Sequence, residues 1–370
     1  MNYFQTIKLE NFRNFNNFKI DFVSGCNVLI GKNGSGKTNI LESISLFEKG
    51  RGFRRENIKN FVNTNSDKQN FKISSVFFNK GSKINLSLYN KNNETGSVKT
   101  LLINDSSSKD SIKYFENLFS LIYFLPSMDR LFIDAPSLRR NFLDRLIFSA
   151  DKSYNKLVIN YKKNISERYK VLQNYRYDNF WLKNIEEKIA ELGIKIYKKR
   201  TEHISVINSN LKDLDSYKKY SYRVLLLIKD DLIKNDNKDI NNIYDTYLAK
   251  LQSIRDFDSF TGGCKIGPHK SDVIGYNIEN RFNINQFSTG QQKTVILLII
   301  LAQCKFLINE VKVKPIILFD EVCSQLDIEN RELLLDLVEL LKVQTFFTGT
   351  EKNFFSFLST KTNYCNINEK

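Results

Sequence analysis

No stretch of this 370-residue chain approaches the roughly 18 consecutive apolar residues of a membrane span, so a membrane protein is not expected. The opening Met1-Asn2-Tyr3-Phe4-Gln5 has no charged segment ahead of an apolar core, and the expected location is the cytoplasm. The five cysteines (Cys26, Cys264, Cys304, Cys323 and Cys365) are odd in number, widely scattered and free of any C-x-x-C pair. This pattern argues against a disulfide framework or a zinc site and for reduced thiols in or near a core. No internal repeat is evident. What is present is ordinary for a globular chain, 41% hydrophobic and 26% charged, except for a net charge of +15. An excess this large suits a polyanionic partner, nucleic acid above all; a basic surface serving only solubility is the alternative.

The organising stretch is Val28 to Leu41, which reads as a buried strand, a glycine-rich turn and a helix start. Gly31, Lys32, Asn33, Gly34, Ser35, Gly36, Lys37 and Thr38 fill the G-x-x-x-x-G-K-[ST] phosphate loop. Glycines let backbone N–H groups converge on phosphate oxygens, and the helix N-terminus faces the same anion. Lys37 is expected to reach the β- and γ-phosphates and the Thr38 hydroxyl to ligate Mg²⁺.

Before this loop, Phe4–Leu9 and Phe18–Phe22 alternate as strands; after its helix, Phe71–Phe78, Ile84–Tyr89 and Val98–Ile103 form a meander. Gly50-Arg51-Gly52-Phe53-Arg54-Arg55 ends the first helix with three arginines expected near the nucleotide, and Leu121–Leu125 is a short strand stopped by Pro126. From Pro136 to about Leu214 apolar residues recur at helical spacing. Asn174–Asn179 is the expected tip between two antiparallel helices. Between Arg139 and Arg200 there are 16 basic against 7 acidic residues, a bias suited to phosphate contacts or to a solvated face. A polar linker, 230–239, precedes a helix near 240–254 and the segment Gly267-Pro268-His269-Lys270.

Nucleotide chemistry then returns. Lys314–Glu321 is an apolar strand ending in two acids, as the strand beside the loop does in a phosphate-loop protein. Asp320 would hold Mg²⁺, and Glu321 would orient and polarise the attacking water. Upstream, Ser288-Thr289-Gly290-Gln291-Gln292-Lys293 opens a long apolar helix. Ser288 and Gln291 fit a capping box, and an exposed Ser hydroxyl with Gly290 at a helix start can also grip a phosphate.

The order phosphate loop, serine-glycine helix start, acidic strand resembles the ABC-type ATPases, in which one subunit's signature closes on nucleotide held by the other. On that resemblance Ser288, Gly290 and Gln291 complete the nucleotide site of a partner, and Ser324-Gln325-Leu326-Asp327 crosses the interface. Thr348 stands where transporter relatives carry histidine. The gap of about 250 residues from Lys37 to Ser288 exceeds a transporter subunit's and falls short of a long coiled coil's. Within the ABC class, five stretches resemble the RecF family: Leu9–Asn14, Gly50–Arg54, Pro136–Asp144, Gly267–Asp272 and Ser288–Lys293. Ser127 after Pro126, Asp134-Ala135 before Pro136, and Gln325 depart from its pattern.

The expected fold is therefore α/β: an ABC-type P-loop ATPase head with an inserted, mainly helical lobe. Residues 1–128 and 261–370 are assigned to the head and 129–260 to the basic lobe. The resemblance implies ATP and Mg²⁺ as cofactors, an ATP-dependent homodimer, and slow, DNA-stimulated hydrolysis with Lys37 and Glu321 as the catalytic pair. It implies binding to single-stranded or gapped duplex DNA, and work with RecR and RecO to load RecA. Arg139, Arg140, His269 and Lys270 are candidate DNA contacts, although His269 equally suits a structural role and the two arginines equally suit carboxylate pairs such as Asp144. A transport ATPase subunit and a nucleotide-dependent protein scaffold remain as alternatives.

Overall fold

The computed structural model describes residues 2–94, 96–174, 178–215, 223–233, 243–325 and 328–367. The chain opens with β1 (Asn2–Phe12), β2 (Phe15–Asp21), β3 (Cys26–Ile30), α1 (Lys37–Ser45), β4 (Lys72–Asn79), β5 (Ser82–Asn93), β6 (Gly96–Ile103), α2 (Lys109–Leu118) and β7 (Leu121–Phe124). It continues with α3 (Pro136–Ala150), α4 (Tyr154–Leu172), α5 (Asn179–Asp215), β8 (Val224–Lys229), α6 (Ile243–Ser253), α7 (Arg255–Thr261), β9 (Asp272–Asn277) and α8 (Thr289–Asn309). It closes with β10 (Ile316–Phe319), α9 (Ile328–Leu341), β11 (Thr345–Gly349) and β12 (Asn363–Asn366). Two compact units result: 1–129 with 296–370, and 130–295.

The first unit holds two sheets. One is antiparallel, in the order β2-β1-β4-β5-β6; the other is parallel, in the order β12-β3-β11-β10-β7. Strands covered on both faces read as continuous apolar runs, and Ile316-Ile317-Leu318-Phe319 is buried throughout. Phe4 of β1 meets Phe47 beyond α1, Phe77 of β4 and Phe119 beyond α2, at ring separations of 5.4, 5.1 and 5.3 Å. Gln344, fully buried just before β11, exchanges hydrogen bonds with both backbone groups of Phe4 (2.8 and 2.7 Å). That amide ties the parallel sheet to the antiparallel one where the β1–β4 register shifts, because a bulge frees backbone groups that must be satisfied.

In the parallel sheet β11 lies between the loop strand β3 and the acidic strand β10. The 21-residue α8 is long and apolar enough to cross a membrane by length and composition. However, 78% of its apolar window is buried within the protein, as in a core helix. The segment 261–295, assigned to the head from sequence, clusters with 130–260, since β9 pairs antiparallel with β8. All five cysteines are free thiols, four of them buried, and burial pushes Cys26 up to about 12.

In the second unit α4 and α5 are antiparallel. Arg168 near the end of α4 bonds Glu186 near the start of α5, while Lys199 late in α5 reaches Asp151 ahead of α4. One uninterrupted α5 carries two apolar stripes, Leu182–Ile196 and Ile204–Leu214, on its buried side. At the expected tip, residues 175–177 lie outside the described residues; so do 234–239 of the linker and the start of the helix expected at 240.

Candidate functional site: the phosphate-loop cradle

β3 ends at Ile30 and the loop turns at once, with Gly31 N–H bonded to Gly349 O at 3.2 Å. Gly34 and Gly36 have φ of 82° and 103°, a region costly for other residues. A Cβ at Gly36 would also come within 2.5 Å of the Phe15 ring and 2.7 Å of the Asn14 amide, so this glycine is required twice over. Asn14 braces the loop by donating to Ser35 O (3.1 Å) and accepting from Asn39 of α1 (2.9 Å). Next to it, Arg13 donates to the buried Glu42 of α1 at 2.9 Å. The opening Leu9–Asn14 stretch thus acts as the loop's brace.

Lys37 is only 4% exposed, and its ammonium donates to the Gly31 and Lys32 carbonyls (2.7 and 2.9 Å). Burial pulls its pKa down, opposed by the charges of Glu321 and Asp320. The Thr38 hydroxyl donates to Asp320 Oδ1 at 2.9 Å. Thr348, fully buried, donates to the same oxygen at 2.8 Å and accepts from Glu321 N–H at 2.9 Å. β11 lies between β3 and β10, so Asp320 takes one hydroxyl from the helix after the loop and one from the intervening strand. Only the missing histidine had drawn attention to Thr348 in the sequence. Glu321 is exposed, with a left-handed φ of 51° that turns the chain away from the strand end.

The cradle fits a triphosphate on two observations. Ser35 Oγ is buried with no hydrogen-bond partner among the described residues, and Gly34 faces open space where a side chain would otherwise stand. For a metal, no three His, Cys, Asp or Glu side chains gather among the described residues. One carboxylate beside one hydroxyl is nevertheless the sparse donor set that Mg²⁺ uses when phosphates supply its other oxygens.

At the start of α8, in the second unit, Ser288 N–H donates to Gln291 Oε1 (2.9 Å) and Gln291 N–H donates to Ser288 Oγ (3.3 Å). The predicted capping box is present, and Ser288 and Thr289 are exposed while Gly290 is half-buried. The expected interface loop is described only through its backbone at Ser324 and Gln325; Leu326 and Asp327 lie outside the described residues. Arg54 reaches Asn39 and Glu42 of α1, whereas Arg51 and Arg55 are exposed.

The candidate DNA residues divide. Arg139 is 8% exposed and spends its guanidinium on both Asp272 oxygens (2.8 and 3.0 Å) and on the Leu131 and Asp134 carbonyls. Its carboxylate partner is Asp272 and not the expected Asp144, which Arg200 holds in a bidentate pair (2.8 and 2.9 Å). His269 has both ring nitrogens engaged, Nε2 with Cys264 O and Nδ1 with the Tyr161 hydroxyl, each at 2.7 Å. A carbonyl can only accept, so Nε2 carries the proton and Tyr161 donates to Nδ1. Burial pushes His269 down to about 4, which keeps the ring neutral. Gly267, with φ of 114°, is obligatory here because a Cβ would collide with the Tyr161 and Tyr247 hydroxyls. Only Arg140, half-buried, and Lys270, exposed, keep groups facing outward.

Residues 3–366 match the RecF/RecN/SMC N-terminal domain family. Among curated proteins, the DNA replication and repair protein RecF of Rickettsia conorii is 32% identical over 359 residues, 97% of either chain. Its counterpart from Rhizobium leguminosarum is 30% identical over 357 residues, 96% of this chain and 94% of that one. Among solved structures, that of the recombination mediator protein RecF with ATPrS in the RecFOR pathway superposes with a TM-score of 0.82 at 25% identity, covering 97% of this chain and 94% of that one. An SMC head bound to a ScpA winged-helix domain reaches 0.55 at 15% identity, over 96% of this chain and 92% of that one, a likeness of fold alone. With a phosphate loop, a paired acidic strand and a capped serine helix all in place, and full-length relatives of one kind on both sides, the chain belongs to the RecF family of DNA replication and repair proteins.

Proposed function

We propose that this chain is an ATP-switched DNA-binding protein of the cytoplasm whose heads dimerise around nucleotide. The observation that carries the reading is the convergence of Thr38 and Thr348 on a single oxygen of Asp320, under a loop whose lysine is already buried. Gly31 to Thr38 would hold the triphosphate, with Lys37 trading its two carbonyl partners for phosphate oxygens. Thr38 and Asp320 would hold Mg²⁺, which when bound neutralises phosphate charge. Glu321, aimed outward by its left-handed backbone, would orient the attacking water for slow hydrolysis. Ser288, Gly290 and Gln291 of one copy would close on nucleotide held by another, since an exposed capped helix start is an anion site.

DNA would be held through its phosphates by the lobe, with Lys270 and Arg140 as the outward-facing candidates. That the solved relative carries ATPrS and is placed in the RecFOR pathway supports the nucleotide and a partnership with RecR and RecO, through which RecA would be loaded at gapped DNA. Sedimentation with and without ATP, using a Glu321→Gln variant and gapped duplex, tests the reading. Dimer and DNA complex should both increase with ATP, and Lys37→Ala should abolish both responses. A dimer fraction and DNA affinity indifferent to ATP would end it. A transport subunit would instead co-purify with an integral membrane protein, and a protein scaffold would leave a low-salt mobility-shift assay blank.

A further inference from the structure

The second unit contains a cavity of about 190 Å³ that the nucleotide chemistry does not use. Three helices and one turn build it. Ser137, Arg140, Asn141 and Asp144 recur at steps of three and four along one face of α3. α4 contributes Val158, Tyr161 and Lys162, α5 contributes Ile196 and Arg200, and Pro268-His269 closes the remaining side.

The charges facing this space do not balance. Asp144 is the one carboxylate lining it, and it is already neutralised by the bidentate Arg200 and a 2.6 Å bond from Tyr154. His269 is locked as a neutral ring by its two hydrogen bonds. That leaves Arg140 and Lys162. Among the described residues, Arg140 makes a single hydrogen bond, from Nη1 to Ser271 O at 2.6 Å, and the Lys162 and Asn141 side chains make none. Burial and the nearby Arg200 and Arg139 disfavour the Arg140 charge more than Asp272 and Asp144, each already paired with another arginine, favour it, a cost that a bound anion would offset.

We infer that this cavity binds a phosphate group, with the spare guanidinium edge of Arg140 and the Lys162 ammonium as its charged donors and Asn141 and Ser137 as neutral ones. Planar guanidinium suits two oxygens of one phosphate, and the ammonium supplies a third contact as a point charge. The phosphate could belong to a nucleic-acid strand or be free in solution; the chemistry is shared. The site lies wholly within the lobe unit, so it stands or falls separately from the triphosphate cradle.

The test uses the full chain carrying Lys37→Ala, without ATP, so that failure of the nucleotide switch cannot masquerade as failure here. Duplex binding is followed by fluorescence anisotropy across salt concentrations, and binding of inorganic phosphate by ³¹P relaxation. Arg140→Gln/Lys162→Gln should weaken the duplex roughly tenfold and lower the slope of log K against log salt by about 2. Lys162→Gln alone, on an exposed side chain whose loss cannot unfold the lobe, should lower that slope by about 1, while neighbouring Lys163→Gln should do much less. Loss of the duplex effect identifies a strand phosphate as ligand, and loss of the ³¹P effect alone identifies free phosphate. If both survive in the double variant, or Lys163→Gln matches Lys162→Gln, the inference is overturned.

Discussion

Lys37 in the head and Arg168 in the lobe are both buried cations, 4% and 1% exposed, yet their partners differ in kind. Lys37 bonds only backbone carbonyls of its own loop. Arg168 bonds Glu186, Asp258 and the Leu251 carbonyl, and both carboxylates are fully buried. A lysine that lets go of two carbonyls strands no charge, so it can turn to a phosphate. An arginine that lets go of a buried carboxylate leaves a naked anion in low dielectric. Burial of a cation therefore does not by itself mark a working group; the identity of its partners does. By this criterion Arg139, held by Asp272, belongs with Arg168, and Arg140 belongs with Lys37.

The sharpest way to break the comparison is Arg168→Met. It should cost about 3–5 kcal/mol, because Asp258 loses its guanidinium while Arg255 still covers Glu186. Trp181, the only tryptophan, sits at the start of α5 and reports lobe unfolding by fluorescence. A loss below about 1 kcal/mol would mean that the network is incidental.

Next in size is a pH effect. His269 titrates at about 4 in the folded chain and near 6.5 when unfolded, so between those values the unfolded state binds the extra proton. Stability should then fall as pH drops from 6.5 to 4, by up to about 3 kcal/mol relative to a His269→Gln variant. Parallel pH profiles for the two proteins would contradict the neutral assignment.

Smallest is Thr348→Val, which removes two hydrogen bonds beneath the head cradle. About 1–2 kcal/mol of head stability should disappear in denaturant unfolding followed by hydrogen exchange at β11, with the Trp181 transition unmoved. A shift of both transitions together would show that the two units do not respond separately.

The loop, the acidic strand end and the capped helix start were legible in the chain because each is local. Gly31 to Thr38 are contiguous, Asp320 and Glu321 end one apolar run, and Ser288 with Gln291 make a four-residue box. Each of these is read within one turn or strand, and the structure brings Thr38 and Asp320 to 2.9 Å across 282 positions. Choices stayed open where meaning depended on a distant partner. Arg139 suits a phosphate or a carboxylate equally until Asp272, 133 residues later, occupies it. β8 and β9 went unseen because neither segment is a strand without the other's edge. The α2 helix was missed in a polar stretch where only Phe115 is buried.

The sequence by itself pointed to a phosphate-loop turn and to the lysine, hydroxyl and acid that the fold gathers there, since backbone geometry and residue chemistry at short range leave few alternatives. Strand order was decided only by the fold, through β11 placing Thr348 between the loop and the acidic strand. The same is true of which arginines are spent on carboxylates. Both depend on side chains far apart in the chain competing for the same hydrogen bonds, and that competition has no trace in local pattern.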